Sequence, residues 1–216
     1  MTIPSALELA GALAVSLPAG YGGAVAARKL AEDARLPAAA MIVGCAVLWG
    51  WAALIMAEPP LLAISCALGW ALLVLGAIDA LAFRLPDILT LPLIPAGLAV
   101  AQYLPDHDVL GHCIAALIAI GAFYAVAAGY QSVRKREGLG MGDMKLAGVA
   151  GAWLGWQALP YVLLLACAAG LVWIGIAAMR RGTAALQERI PFGVPLCLAI
   201  WIIWLYGLPE TFGPIF

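Results

Sequence analysis

Apolar stretches of about 20 residues follow one another along this chain with only short polar breaks, and that pattern restricts its fold more than any motif does. A helix needs roughly 20 mainly apolar residues to cross a bilayer, where every backbone N–H and C=O must find its partner inside the protein. Eight such segments are readable, at about 5–27, 37–57, 60–80, 86–104, 109–130, 144–157, 159–179 and 191–208. The sixth is the shortest. Gly155-Trp156-Gln157 is its only break from the seventh, so one bent hairpin over 144–179 is the alternative. The first has no basic stretch before Pro4 and carries Glu8 early, so it reads as a mature helix rather than a secretory signal. Composition points the same way: 65% of residues are hydrophobic and 11% charged, whereas soluble domains carry about half and a quarter. The expected fold is an all-α polytopic membrane helix bundle of about eight transmembrane helices. Residues 1–216 form a single membrane domain, because the longest polar stretch, Gln131 to Asp143, has only 13 residues.

Short loops rich in Lys and Arg stay in the cytoplasm. Arg28, Lys29 and Arg35 follow segment one and Arg84 follows segment three. Arg134, Lys135, Arg136 and Lys145 surround the loop after segment five, and Arg180, Arg181 and Arg189 follow segment seven. All 11 basic residues therefore fall on one side. The opposite loops carry Glu58-Pro59-Pro60, Asp106-His107-Asp108 and Glu210. This alternation predicts an even number of crossings with both termini outside the cytoplasm. A net charge of −1 and the lack of a basic patch beyond these loops exclude a nucleic-acid partner. Cys45, Cys66, Cys113, Cys167 and Cys197 lie singly within apolar segments, without metal-ligand spacing, and read as small core residues.

An acid within an apolar segment costs roughly 2.5 to 3.5 kcal/mol on insertion scales, so its presence asks for a reason. Asp79, in Leu75-Gly76-Ala77-Ile78-Asp79-Ala80-Leu81-Ala82-Phe83, has no ionisable neighbour before Arg84. Either it pairs with Arg84 or the headgroups, or it serves a function. Asp143 closes Gly138-Leu139-Gly140-Met141-Gly142-Asp143, where a polar loop meets the next apolar helix. It can be a plain helix-start acid favoured by the macrodipole. Alternatively, the alternating glycines let a bound chain approach the carboxylate closely. Both acids fall at the predicted cytoplasmic ends of helices. Two carboxylates sharing a proton form an aspartic-protease dyad, in which one takes a proton from water while the other hydrogen-bonds the scissile carbonyl. Helix direction would make Asp143, at an N-terminal end, the ionised base, and Asp79, at a C-terminal end, the protonated partner.

Taken in order, Ile78-Asp79, Leu85-Pro86-Asp87, Gly140-Met141-Gly142-Asp143-Met144-Lys145-Leu146 and Ile190-Pro191-Phe192-Gly193 resemble the landmarks of bacterial prepilin peptidases, or type IV leader peptidases, which are GxGD aspartic proteases. The resemblance spans about residues 70 to 200. It implies that Asp79 and Asp143 are the catalytic pair, that no cofactor is needed, and that the substrates are prepilins or pseudopilins with a short basic leader. Cleavage would follow the leader's final glycine at the cytoplasmic face of the inner membrane. The longer members of the family carry a cytoplasmic insertion with paired CxxC motifs after the first helix and also methylate the new N-terminus. Here Arg28 to Leu36 runs almost directly into the second helix without a cysteine. A zinc site is therefore not expected, and N-methylation is left without support.

Other residues admit two readings each. Asp87, after Pro86, suits a helix start or a substrate contact. Lys145 holds an anion near Asp143 or anchors at the interface. Pro191 and Gly193 shape the entry of the last helix or line the site, as Gly140 and Gly142 would. Glu137 is a loop acid or attracts a basic leader. His107 and His112 read as interfacial, and the eight tryptophans, mostly near predicted helix ends or turns, as aromatic belts. Three rival functions remain: a small transporter or channel with a path of intramembrane acids, an inactive assembly factor of a pilus or secretion machine, and a GxGD protease with another membrane substrate.

Overall fold

The computed structural model describes residues 6–32, 36–56, 58–104, 108–134, 140–182 and 191–207. Among them run eight α-helices: α1 (Ala6–Ala31), α2 (Ala38–Ile55), α3 (Pro59–Ala82), α4 (Asp87–Tyr103), α5 (Val109–Arg134), α6 (Met141–Leu154), α7 (Leu159–Arg181) and α8 (Gly193–Tyr206). The all-α expectation holds, and the bent-hairpin alternative for 144–179 does not. Gly155, at φ 75°, stops α6 in a conformation that a side chain would oppose, and α7 begins after a turn.

Among the described residues, four helices are long and apolar enough to cross a membrane: Ala38–Ile55, Pro59–Ala82, Val109–Val133 and Leu159–Arg181. The apolar helices α4 and α8 are shorter. A 14-residue helix such as α6 or α8 is about 21 Å long, less than the ~30 Å hydrocarbon core. Both are central rather than lipid-facing. Every residue from Leu146 to Leu154 is buried, and α8 buries Leu196, Ile200, Trp201 and Trp204. The long outer helices instead present apolar side chains outward, for example Leu164, Leu171 and Trp173 on α7.

Helices α1, α2 and α3 pack together on one side and α4, α5 and α6 on the other, and α8 joins the halves through α3 and α6. One cluster unites Leu68, Leu72 and Leu75 of α3 with Leu146, Val149 and Trp153 of α6 and Leu196, Ile200 and Trp204 of α8. A second holds Ala24, Ala27, Met41, Val74 and Ile78. Because lipid is as apolar as leucine, such helices associate through close packing and small residues. A Cβ on Gly20 would lie 2.5 Å from the Ile42 Cα, and one on Gly151 2.6 Å from the Ala115 backbone.

Contacts between connections identify one end of the bundle. Arg84 meets Glu32 at 3.3 Å, and the Arg28 Nε donates to the Leu36 carbonyl at 2.7 Å. Lys145 meets Asp87 at 2.5 Å. Arg28 and Lys29 close α1, Arg180 and Arg181 close α7, and Arg134 ends α5, so the described basic residues gather at this end. Glu58 and Asp108 lie at the other. Arg35, Asp106, His107, Lys135, Arg136, Glu137, Arg189, Ile190 and Glu210 lie outside the described residues.

Two sequence expectations change at that other end. His112 is buried rather than interfacial, with its Nδ1 3.0 Å from the Ala152 carbonyl. Four of the tryptophans near helix ends, Trp49, Trp153, Trp201 and Trp204, face the interior instead of forming a lipid belt, whereas Trp156 and Trp173 are exposed. Buried indoles pay for their area only when the N–H finds an acceptor. Trp49 reaches the Cys66 carbonyl, Trp153 the Leu93 carbonyl and Trp204 the Ser65 hydroxyl, each at 2.8 Å. The cysteine expectation holds for the buried Cys45 and Cys197, while Cys167 lies on the outer face of α7.

Candidate active site

Asp79 stands one turn before the end of α3, with 5% of its surface exposed. Immediately beyond it the chain reverses. Phe83 adopts the left-handed conformation at φ 53°, and its N–H donates to the Asp79 carbonyl at 2.9 Å. For a residue with a Cβ this costs on the order of 1 kcal/mol. The turn brings Leu85 inward, buried at 7%, and Pro86 then caps α4, whose first residue is Asp87.

Asp143 occupies the third position of α6, which starts three residues earlier than the sequence pattern indicates. An acid there closes the helix start on itself. The Gly140 N–H donates to Asp143 Oδ2 at 3.3 Å, and the Asp143 N–H returns to the Gly140 carbonyl at 3.1 Å. Asp143 is 9% exposed. The glycines around it differ in need. A Cβ on Gly142 would lie 2.8 Å from the Leu85 Cβ, an impossible contact, whereas one on Gly140 would meet Asp143 Oδ2 at an ordinary 3.4 Å.

The third wall is the start of α8. The Val194 N–H donates to Asp79 Oδ2 at 3.2 Å, and a Cβ on Gly193 would stand 2.7 Å from that same oxygen. Gly193 thus lets the backbone reach the carboxylate. Pro191 precedes it, and its carbonyl lies 3.3 Å from the Val194 nitrogen. Helix α8 begins at Gly193, so Pro191 shapes the approach from just outside the helix.

These segments bring together the two acids that the sequence separates. Asp79 and Asp143 lie within electrostatic reach of each other. The Leu85 Cδ1 lies 3.3 Å from the Cβ position of Gly142 and 3.2 Å from that of Gly193, so this one side chain spans the turns that carry both carboxylates. Buried Cys197, one turn into α8, faces Gly76, one turn before Asp79, with its Cβ 4.0 Å from the Cβ position of that glycine. The sequence did not single out Leu85 or Cys197 as neighbours of the candidate site. Leu85 was signalled by its place in the Leu85-Pro86-Asp87 block, but nothing in the sequence distinguishes Cys197 from the other cysteines. The anion beside Lys145 is Asp87, so this pair ties the start of α4 to the start of α6. Arg84 turns away from Asp79 to Glu32.

A helical membrane bundle with two buried carboxylates meeting at its basic end is the class of protein that fold and site define. The type IV leader peptidase family matches residues 66–175, half of the chain, including Asp79, Leu85 to Asp87 and Gly140 to Lys145. The chain belongs to that family. It is 39% identical over 144 residues to the prepilin leader peptidase/N-methyltransferase of Aeromonas salmonicida (strain A449), covering 65% of this chain and 48% of the relative. To the protein of the same name in Burkholderia pseudomallei (strain K96243) it is 38% identical over 139 residues, covering 64% and 45%. To that of Pseudomonas putida it is 33% identical over 173 residues, covering 76% and 57%. The chain thus spans about half the length of the curated relatives it matches. No solved structure matches it.

Proposed function

We propose that this chain is a membrane-embedded aspartic endopeptidase that removes the basic leader from type IV prepilins or pseudopilins at the cytoplasmic face of the inner membrane, through Asp79 and Asp143. The observation that carries this reading is the meeting of these two buried carboxylates at the end of the bundle that gathers Arg and Lys. By the positive-inside rule that end faces the cytoplasm. The same reading takes residues 1–216 as one peptidase domain, all eight helices as crossings, and both termini as periplasmic.

The chemistry follows from placement. Two buried carboxylates within electrostatic reach of each other disfavour carrying two negative charges at once, and one shared proton relieves that. Asp143, at a helix N-terminus and accepting the Gly140 N–H, is the better place for the negative charge, and Asp79, near a helix C-terminus, for the proton. Asp143 then removes a proton from water, whose oxygen attacks the scissile carbonyl carbon while Asp79 hydrogen-bonds the carbonyl oxygen. Collapse of the tetrahedral intermediate returns a proton to the leaving amine. A strongly shifted pH profile of the residual activity of Asp79→Asn, with Asp143 behaving normally, speaks against this assignment of roles. A substrate whose apolar helix stays in lipid presents its leader junction at this depth, which is why the carboxylates sit at a helix end. Asp87, Lys145, Gly140, Gly142, Pro191 and Gly193 shape or position this site.

A transporter would need acids along a path through the bilayer, whereas Asp79, Asp87 and Asp143 share one end. An inactive assembly factor would have no use for the pair. The relatives' names also include N-methyltransferase, but α1 and α2 are joined by only 32–37, without cysteine, so we assign this chain the peptidase step alone. The test is cleavage of a prepilin reconstituted in membranes, scored by gel shift and by product mass. Wild type should cut, Asp79→Asn and Asp143→Asn should insert but not cut, and the product should be unmethylated when S-adenosylmethionine is supplied. Normal cutting by both variants would remove the aspartic mechanism.

A further inference from the structure

We propose that Leu85 is the specificity-determining wall that measures the substrate residue just before the scissile bond and admits only glycine there; this rests on the prepilin reading above. A bond cut by Asp79 and Asp143 must lie within hydrogen-bond reach of both carboxylates, directly or through one water. Its flanking residues therefore pass between the end of α3 and start of α8 on one side and the start of α6 on the other. Leu85 stands in that passage. Its Cδ1 is 3.3 Å from the Cβ position of Gly142 and 3.2 Å from that of Gly193, and its own Cβ is 2.8 Å from the former. Asp79 Oδ2, in turn, lies 2.7 Å from the Cβ position of Gly193. The space left by each glycine is thus already filled, one by a leucine side chain and the other by a carboxylate together with that leucine.

Leu85 is also unable to swing aside cheaply. It is 7% exposed and belongs to the same core cluster as Leu146, Leu196 and Cys197. The left-handed Phe83 precedes it, and the ring-restricted Pro86, at φ −72°, follows it. A peptide laid across the carboxylates meets this wall with the Cα next to the scissile carbonyl. A Cα without a side chain fits beside it, and one carrying a methyl or larger group collides with a leucine that the core holds in place. Shortening Leu85 opens room where that side chain would go.

The experiment uses the full chain in proteoliposomes and one prepilin with glycine, alanine or valine before the cleavage site, comparing kcat/KM for each. One methyl group more or less in a fitted pocket changes discrimination by about 10- to 200-fold. Wild type should strongly prefer glycine. Leu85→Ala should raise the alanine-to-glycine ratio of kcat/KM at least tenfold, and Leu85→Val should raise it less. An unchanged ratio in a Leu85→Ala protein that still cuts the glycine substrate overturns the proposal. So does loss of all cleavage in both variants, which would make Leu85 a structural prop. Failure of the wild type to cut the glycine substrate removes the prepilin reading itself, and the wild-type arm alone reveals it.

Discussion

Where α2, α6 and α8 finish, the buried polar groups are mostly donors whose partners are fixed. Trp49, Trp153 and Trp204 are each bonded at 2.8 Å, Trp153 and Trp204 stack edge to face at 5.2 Å, and Gly155 lets α6 end against His112. Among the described residues the exception is Trp201, whose Nε1 is buried without a partner while its ring covers Gly69. Where α3 ends and α6 and α8 begin, the buried groups are acceptors. A carboxylate offers about four lone-pair sites, and the backbone bonds from Val194 to Asp79 and from Gly140 to Asp143 each use one. Apart from Trp201, the first end pairs its buried indoles and so holds the bundle together. The second leaves acceptor capacity beside a left-handed phenylalanine and two glycines that tolerate no Cβ, as expected of a place where stability yields to chemistry.

The comparison is broken most directly at the carboxylates. Asp79→Asn and Asp143→Asn each should lower prepilin cleavage by about 10³-fold or more, the scale of a lost general acid or base, with insertion unchanged. Normal cleavage would make this end as structural as the other. Gly193→Ala comes next, because its Cβ would stand 2.7 Å from Asp79 Oδ2 and displace the carboxylate or α8. A misplacement of ~1 Å costs about 10²-fold, so turnover should fall on that scale. The control Gly140→Ala, whose Cβ meets only an ordinary contact, should lose far less.

The ion pair between Lys145 and Asp87 is partly exposed, at 30% and 57% of the side chains, so its contribution to stability should stay within about 1 kcal/mol. Its effect should appear in activity instead. Lys145→Asp should reduce cleavage about tenfold, and the exchange Asp87→Lys with Lys145→Asp should recover part of the loss. Such recovery identifies positioning, because repairing the pair cannot restore a direct contact with substrate. At the far end the expectation reverses. Trp204→Phe takes the partner from Ser65 and should lower thermal stability in detergent by about 1–3 kcal/mol. Cleavage per folded molecule should be unaffected, and a loss of turnover matching the Gly193→Ala result would show that the two ends are not separate.

Much of this was legible in the sequence because it depends on local pattern. Each of the eight helices lies within a few residues of its apolar run, since the length of such a run is a property of consecutive residues. Asp79 and Asp143 were visible because an acid beside long apolar stretches is costly wherever the chain folds. The partners of Trp49, Trp153 and Trp204 were not visible. An indole near a helix end faces lipid or interior according to which neighbour packs there, and a residue's own segment does not record that.

The sequence by itself therefore determined the all-helical membrane class, the gathering of basic residues toward one end and the identity of the two acids, because hydropathy, charge and spacing act along the chain. Only the tertiary structure decided that α6 and α8 are short, central and protein-covered. It alone assigned Lys145 to Asp87, and it alone set Leu85 between the turns of Asp79 and Asp143. Those outcomes depend on which helix surfaces meet, and in a bilayer, where apolar side chains gain little by leaving lipid, close packing of small residues chooses the partners.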